Sequence, residues 1–150
     1  MPDRVFRRLH IADLPLVLQM NQDFDDMWRL REENVRLFLS QPHNWLYACI
    51  EGGHILGYAC GYELNRLDDA GNMLYTHGVG VLPEYHRQGI GRRMLSDIKT
   101  MCRLSGICRF FLFTHHSNQA ACGLYRALGG ETDWKGDDDV SFFFNNLEDC

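Results

Sequence analysis

The chain has 150 residues, 45% of them apolar and 23% charged, with a formal charge of −5 at pH 7. That length fits one domain with a substantial core, so residues 1–150 are read as a single unit of folding. The acidic balance argues against a nucleic-acid binder, no run of 18 apolar residues offers a membrane span, and "MPDRVFRRLH" has no apolar signal core, so a cytoplasmic protein is expected.

In chain order, "RVFRRLH" alternates weakly and reads as a first strand. "ADLPLVLQMNQDF" predicts a helix with Asp13 as N-cap, Pro15 in the first turn, and Leu16, Met20 and Phe24 on one apolar face. Residues 32–39, "EENVRLFL", predict a second short helix. "NWLYACIE", "GG" and "HILGYACGYEL" read as strand, turn and strand, which makes residues 45–64 a hairpin. "NRLDDAGN" is turn chemistry leading into the strand "MLYTHGVGVLP". After the loop "EYHRQGIG", the segment "GRRMLSDIKTMCRLSG" predicts a helix with Met94, Leu95, Ile98, Met101 and Cys102 on one face and Gly106 as its stop. "ICRFFLFTH" is nearly continuous in apolar residues, as a strand covered on both faces is. "SNQAACGLYRALGG" predicts a helix capped by Ser117 or Asn118, and "DDDVSFFFNN" a last strand. The order β-α-α-β-β-β-α-β-α-β specifies an α/β protein built on a mixed sheet.

The six cysteines form no CxxC pair and mostly sit in apolar segments, so reduced thiols and no metal site are expected. Charge is unevenly spread. Acids gather at "DFDD" (residues 23–26) and after Glu131, whereas basic residues concentrate in residues 84–109. One surface is thus suited to an anion and another to a cation.

"EYHRQGIGRRML", residues 84–95, places glycines and arginines between a strand and a helix. A helix start exposes unsatisfied N–H groups and a positive dipole end, and glycines let a ligand approach the main chain. Gly89 and Gly91 with Arg87, Arg92 and Arg93 therefore read as a phosphate cradle, although a tight turn with solvated arginines fits the stretch as well. No GxxxxGK(S/T) occurs, and the glycine spacing is wrong for a dinucleotide fingerprint.

The stretch resembles the acetyl-CoA pyrophosphate loop of the GNAT superfamily of N-acetyltransferases, Q/R-x-x-G-x-G/A after a V-x-P strand end. Here it reads His86, Arg87, Gln88, Gly89, Ile90, Gly91 after Val81, Leu82, Pro83, with His86 as the departure. "SNQAACGLYRALGG" resembles the family's N-x-x-A-x-x-L-Y-x-x-x-G-F helix at Asn118, Ala121, Leu124, Tyr125 and Gly129, with Gly130 in place of the aromatic. The resemblance implies a GNAT acyltransferase fold, helices on both faces of the sheet, and two parallel strands (73–83 and 107–114) that splay apart. It further implies acetyl-CoA held by the main chain of Val79, Gly80 and Val81, by Arg87, Gln88, Gly89, Ile90, Gly91 and Arg92, and by Asn118 and Tyr125.

Direct transfer needs a neutral amine and a proton for the leaving thiolate. By resemblance Tyr125 donates that proton; a tyrosine filling a helix–sheet seam is the plain alternative, as helix capping is for Asn118. An amine of pKa ~10.4 is only about 0.04% neutral at pH 7, so a base matters. His77 is the first choice, a core-satisfied histidine being the alternative. Many relatives carry an acid where this chain has Gly78, and Glu63 is the second choice.

"NQDFDDMW", "NWLYACIEGGHILGYACGYELNRLD" and "GGETDWKGDDDVSFFF" resemble the aminoglycoside 3-N-acetyltransferase branch. Such a polycationic substrate calls for carboxylates, and Asp25, Asp26, Glu63, Asp137, Asp138 and Asp139 are the expected contacts. Acidic runs are also ordinary solvated loops. A protein, peptide or polyamine acetyltransferase and a non-catalytic acetyl-CoA-binding module are the competing readings. The aromatic last strand fits either a homodimer contact or a core strand.

Overall fold

The structure, a computed structural model, describes residues 3–132, 134–136, 138–145 and 147. Six strands form one mixed sheet: β1 (Val5–Arg8), β2 (Asn44–Glu51), β3 (His54–Leu64), β4 (Asn72–Val81), β5 (Ile107–His115) and β6 (Asp139–Phe144), in spatial order β1-β2-β3-β4-β5-β6. Pairing is antiparallel for β1 with β2 and β5 with β6, and parallel for β4 with β5. The helices are α1 (Leu14–Leu18), α2 (Met20–Asp23), α3 (Glu32–Ser40), α4 (Ile90–Leu104) and α5 (Gln119–Ala127). None of those described is long and apolar enough to cross a membrane. The residues cluster into two compact units, 1–61 with 78–94 and 62–77 with 95–150.

In the first unit α1 packs on α3, and α3 on β2. Leu14, Val17, Met20, Phe24 and Val35 are buried, as are Trp45, Leu46, Tyr47 and Cys49 of β2. Each such side chain contributes roughly 1.5–3 kcal/mol by leaving water. The single first helix expected from the sequence is divided at Gln19, whose N–H is shared between the carbonyls of Pro15 and Val17. Asp13 occupies the N-cap position, but its carboxylate is drawn away by Arg7 at 2.8 and 3.0 Å and by the His10 N–H at 2.8 Å. The Arg7 hydrogen bond holds the Asp13 carboxyl below its ordinary range. Gly52 and Gly53, both at positive φ, make the β2–β3 turn.

In the second unit β5 lies between β4 and β6. Its pleat divides aromatic residues between two faces. Phe110 and Leu112 are buried, and Phe110 stacks on Phe144 at 4.2 Å; Tyr125 of α5 meets Phe142 edge-on at 5.3 Å. On the other face Tyr75, Phe111, Phe113 and Phe143 touch one another, and Phe113 is 58% exposed. The apolar run of β5 therefore reflects one buried face and one partly open aromatic face, not two covered faces. The β4–β5 ladder ends at Thr76↔Leu112, although β4 continues to Val81 and β5 to His115.

Four cysteines, Cys49, Cys60, Cys102 and Cys122, are free thiols, but Cys108 is disulfide-bonded. That corrects the expectation of six reduced thiols. Pairing depends on which sulfurs meet in space, and spacing along the chain does not reveal it.

Candidate functional site

The loop between β4 and α4 begins with a short 3₁₀ turn, Pro83–Tyr85. Arg87 and Gly89 then adopt left-handed conformations, with φ of 63° and 78°. For Gly89 this conformation is cheap; for Arg87 it is strained, by roughly 1–2 kcal/mol. A Cβ at Gly89 would meet nothing within 4 Å, so space is open in front of this peptide. The first intrahelical bond of α4 runs from Arg93 N–H to Gly89 C=O. Among the described residues the N–H groups of Ile90, Gly91 and Arg92 have no protein acceptor. Arg87 and Arg92 are exposed and likewise without a protein partner among the described residues. Open space, free amides and unengaged guanidiniums fit an anionic diphosphate.

Other polar groups of the loop are held by the protein. Arg4 donates to Gln88 Oε1 at 3.1 Å and to Glu51 at 3.3 Å, and Arg93 lies over the Phe6 ring at 4.6 Å. Arg4 and Phe6 belong to the first strand region, so β1 steadies the loop, a support the sequence reading did not anticipate.

In the same unit a cavity of about 370 Å³ is lined by Asp25 and Asp26, by Val79, Gly80 and Val81, and by Phe24, Tyr58 and Glu84. Two of the expected acids thus share one cavity with the β4 main chain expected to pair with the cofactor arm. A neighbouring cavity of about 320 Å³ shares Asp23, Leu82 and Glu84 with it and contains His54, whose Nδ1 is 2.8 Å from Asp23 Oδ2. Tyr58 and Glu84 were not singled out from the sequence, and Asp23 only as a member of the acidic run 23–26, not as a substrate contact. The usable signal for Tyr58 was its alternation along β3 with the small residues Gly57, Ala59 and Gly61, which puts it with Cys60 and Tyr62 on the less buried side.

The second unit holds the other candidates. His77 is exposed, with Nδ1 3.0 Å from the Tyr75 hydroxyl and its ring 6.1 Å from that of Tyr62. It does not face the core. If Nδ1–H donates to Tyr75, Nε2 keeps a lone pair and can accept a proton. Glu63 accepts a hydrogen bond from Asn72 at 3.0 Å, and its charge reaches the buried Cys102 of α4. Since Glu63 adjoins Tyr62 along β3, Glu63 and His77 lie on opposite faces of the sheet. The two candidate bases would therefore reach an acceptor from different sides of the sheet, and at most one of them serves a given acceptor position. Tyr125 is buried, and burial, aided by the nearby Cys122, pushes its phenol up to about 12. It therefore keeps its proton at ordinary pH. Asn118 Oδ1 caps α5 through the Ala121 N–H at 3.1 Å, while its side-chain NH₂ has no protein acceptor among the described residues. Asp138 and Asp139 are exposed and face His115 at 3.2 and 3.5 Å; Asp137 lies outside the described residues.

The profile of the acetyltransferase (GNAT) family matches residues 8–129. The chain belongs to the GNAT family. Its curated relatives include the N-alpha-acetyltransferase RimI of Mycobacterium tuberculosis, 35% identical over 106 residues, or 70% of this chain and 62% of that protein. The match thus spans less than two thirds of that relative's length. Among solved structures, an aminoglycoside acetyltransferase from an uncultured soil metagenomic sample, crystallised with trehalose, superposes with a TM-score of 0.75 at 20% identity, covering 83% of this chain and 86% of that one. Arabidopsis thaliana NAA60 in complex with acetyl-CoA superposes with a TM-score of 0.74 at 16% identity, covering 95% and 98%. At such identities these two likenesses speak for the fold alone.

Two departures from the GNAT motifs now have physical explanations. His86 donates from Nε2 to the Val81 carbonyl at 2.8 Å, tying the loop back to the end of β4. Gly130 replaces an aromatic because no side chain fits: a Cβ there would lie 2.8 Å from Phe144 Cζ and 2.8 Å from the Tyr125 carbonyl oxygen. The Phe144 ring already fills that place.

Proposed function

We propose that this GNAT chain transfers an acetyl group from acetyl-CoA to a primary amine of a polycationic small molecule, the 3-amino group of an aminoglycoside. The observation that carries the reading is the cavity that sets Asp25 and Asp26 beside the main chain of Val79, Gly80 and Val81. Carboxylates there attract an ammonium-rich acceptor. Free amides at the start of α4, with Arg87 and Arg92, would hold the diphosphate, and the Asn118 amide the cofactor arm. Acetyl-CoA supplies the acetyl group as an activated thioester. His77 Nε2 takes the proton from the acceptor ammonium, with Glu63 as the second choice, and Tyr125 Oη gives a proton to the departing sulfur. Residues 1–150 act in this reading as one catalytic domain in the cytoplasm.

A second reading, transfer to the terminal amine of a protein, is favoured by the relative named as an N-alpha-acetyltransferase. Thiol release from acetyl-CoA separates the two when measured with gentamicin, spermidine and peptides bearing a free N-terminus. Turnover is expected to be greatest with gentamicin. Activity confined to peptides replaces the acceptor with a protein terminus, and coenzyme A binding without turnover on any amine leaves only a binding module.

A further inference from the structure

The family motifs give Tyr58 no role, yet its setting is unusual. The ring lies across β4 between two glycines. A Cβ at Gly80 would fall 2.6 Å from Tyr58 Cε1, 3.1 Å from Cζ and 3.2 Å from the hydroxyl oxygen, while one at Gly78 would lie 3.7 Å from Cε2. No real side chain sits as close as the first of these, so glycine at position 80 is required by the tyrosine. Phe24 meets the same ring edge-on at 5.5 Å and holds it from the helical side. Ring packing of this kind would be satisfied by phenylalanine. The hydroxyl has no protein partner among the described residues, and Tyr58 is a wall of the cavity that Asp25, Asp26 and Gly80 also line. The oxygen is not among the buried polar atoms sealed from solvent, so a ligand entering the cavity can reach it and bond it.

We propose that Tyr58 is an acceptor-binding residue whose hydroxyl hydrogen-bonds the amine-bearing end of the acceptor in this cavity. The inference rests on the acetyl-transfer reading given above. Burial and the charge of Asp26 raise the phenol above its ordinary pKa, so it stays neutral. A neutral phenol accepts from an ammonium N–H and donates to an acceptor hydroxyl. Asp23, Asp25, Asp26 and Glu84 supply attraction without direction; Tyr58 supplies direction, fixed by its wedge between Phe24 and the glycines.

Calorimetry on the full chain, with gentamicin and coenzyme A titrated separately, tests this. Tyr58→Phe keeps the ring and removes the oxygen. It is expected to weaken gentamicin binding about tenfold and leave coenzyme A binding unchanged, with KM for gentamicin rising and kcat nearly constant. Gly80→Ala displaces the ring and should weaken gentamicin binding comparably. The double variant should lose no more than the larger single loss, as expected for residues acting through one contact. Equal gentamicin affinity in folded Tyr58→Phe overturns the inference alone. A wild-type chain that binds coenzyme A but neither gentamicin, spermidine nor peptide overturns both the inference and the acceptor reading. Gentamicin bound with the expected tyrosine dependence but never acetylated overturns the reading and supports the inference.

Discussion

His86 shows how a loop absorbs a change of residue. The imidazole reaches back to the Val81 carbonyl at 2.8 Å, so it can steady the loop while the groups proposed to face the diphosphate are main-chain amides that this side chain does not itself supply. Tyr125 makes the opposite point, because its chemistry depends wholly on its surroundings. Burial raises the folded phenol to about 12, against about 10 in an unfolded chain. The unfolded state therefore gives up its proton first as pH rises. The associated stability is fully present below pH ~10 and is lost as pH climbs toward the folded value. Urea unfolding at pH 8 and pH 11 should show a larger alkaline loss for the wild type than for Tyr125→Phe. Parallel losses would mean that the phenol is not shielded. The same variant should lose turnover while still binding coenzyme A.

At the scale of elements, glycines that look alike in the sequence differ in their consequences. Gly130 follows α5 and is hemmed in by Phe144 and the Tyr125 carbonyl. Gly123, inside α5, is exposed, and a Cβ there would meet nothing within 4 Å. Gly130→Ala should destabilise the fold by about 1–3 kcal/mol through overpacking. Gly123→Ala should stabilise it by about 0.5–1 kcal/mol, since alanine restricts the unfolded chain and favours helix. Equilibrium denaturation of the two variants reads both signs, and a stabilising Gly130→Ala would contradict the packing of β6 against α5. Strand periodicity acts at this scale too. By placing Tyr62 and Glu63 on opposite faces, β3 separates two candidate bases that the sequence offered as alternatives for one job.

For the molecule as a whole, coenzyme A binding should appear as stability. A ligand at 100 times its Kd adds about 2.7 kcal/mol, and at this chain length that corresponds to a rise in Tm of roughly 5–10 °C. His86→Ala, with the loop released from Val81, should gain less at the same ligand concentration. Absence of any shift in the wild type, with no heat of binding, would remove the cofactor from the proposed function.

The order of strands and helices, the loop at Gly89 and the α5 motif were legible in the sequence because each is local. Hydrophobic period, capping residues and glycines at special backbone conformations act over a few residues. The disulfide at Cys108, the exposure of His77, the division of Glu63 from His77, and the union of Asp25 and Asp26 with Val79–Val81 and Tyr58 in one cavity were not. Those features join residues far apart along the chain or turn on which face of a strand a side chain occupies. Local pattern does not encode such distances, so the sequence alone determined the family's scaffold and its glycine-bearing bend before α4, whereas tertiary packing decided which side chains line the cavity beside Val79–Val81.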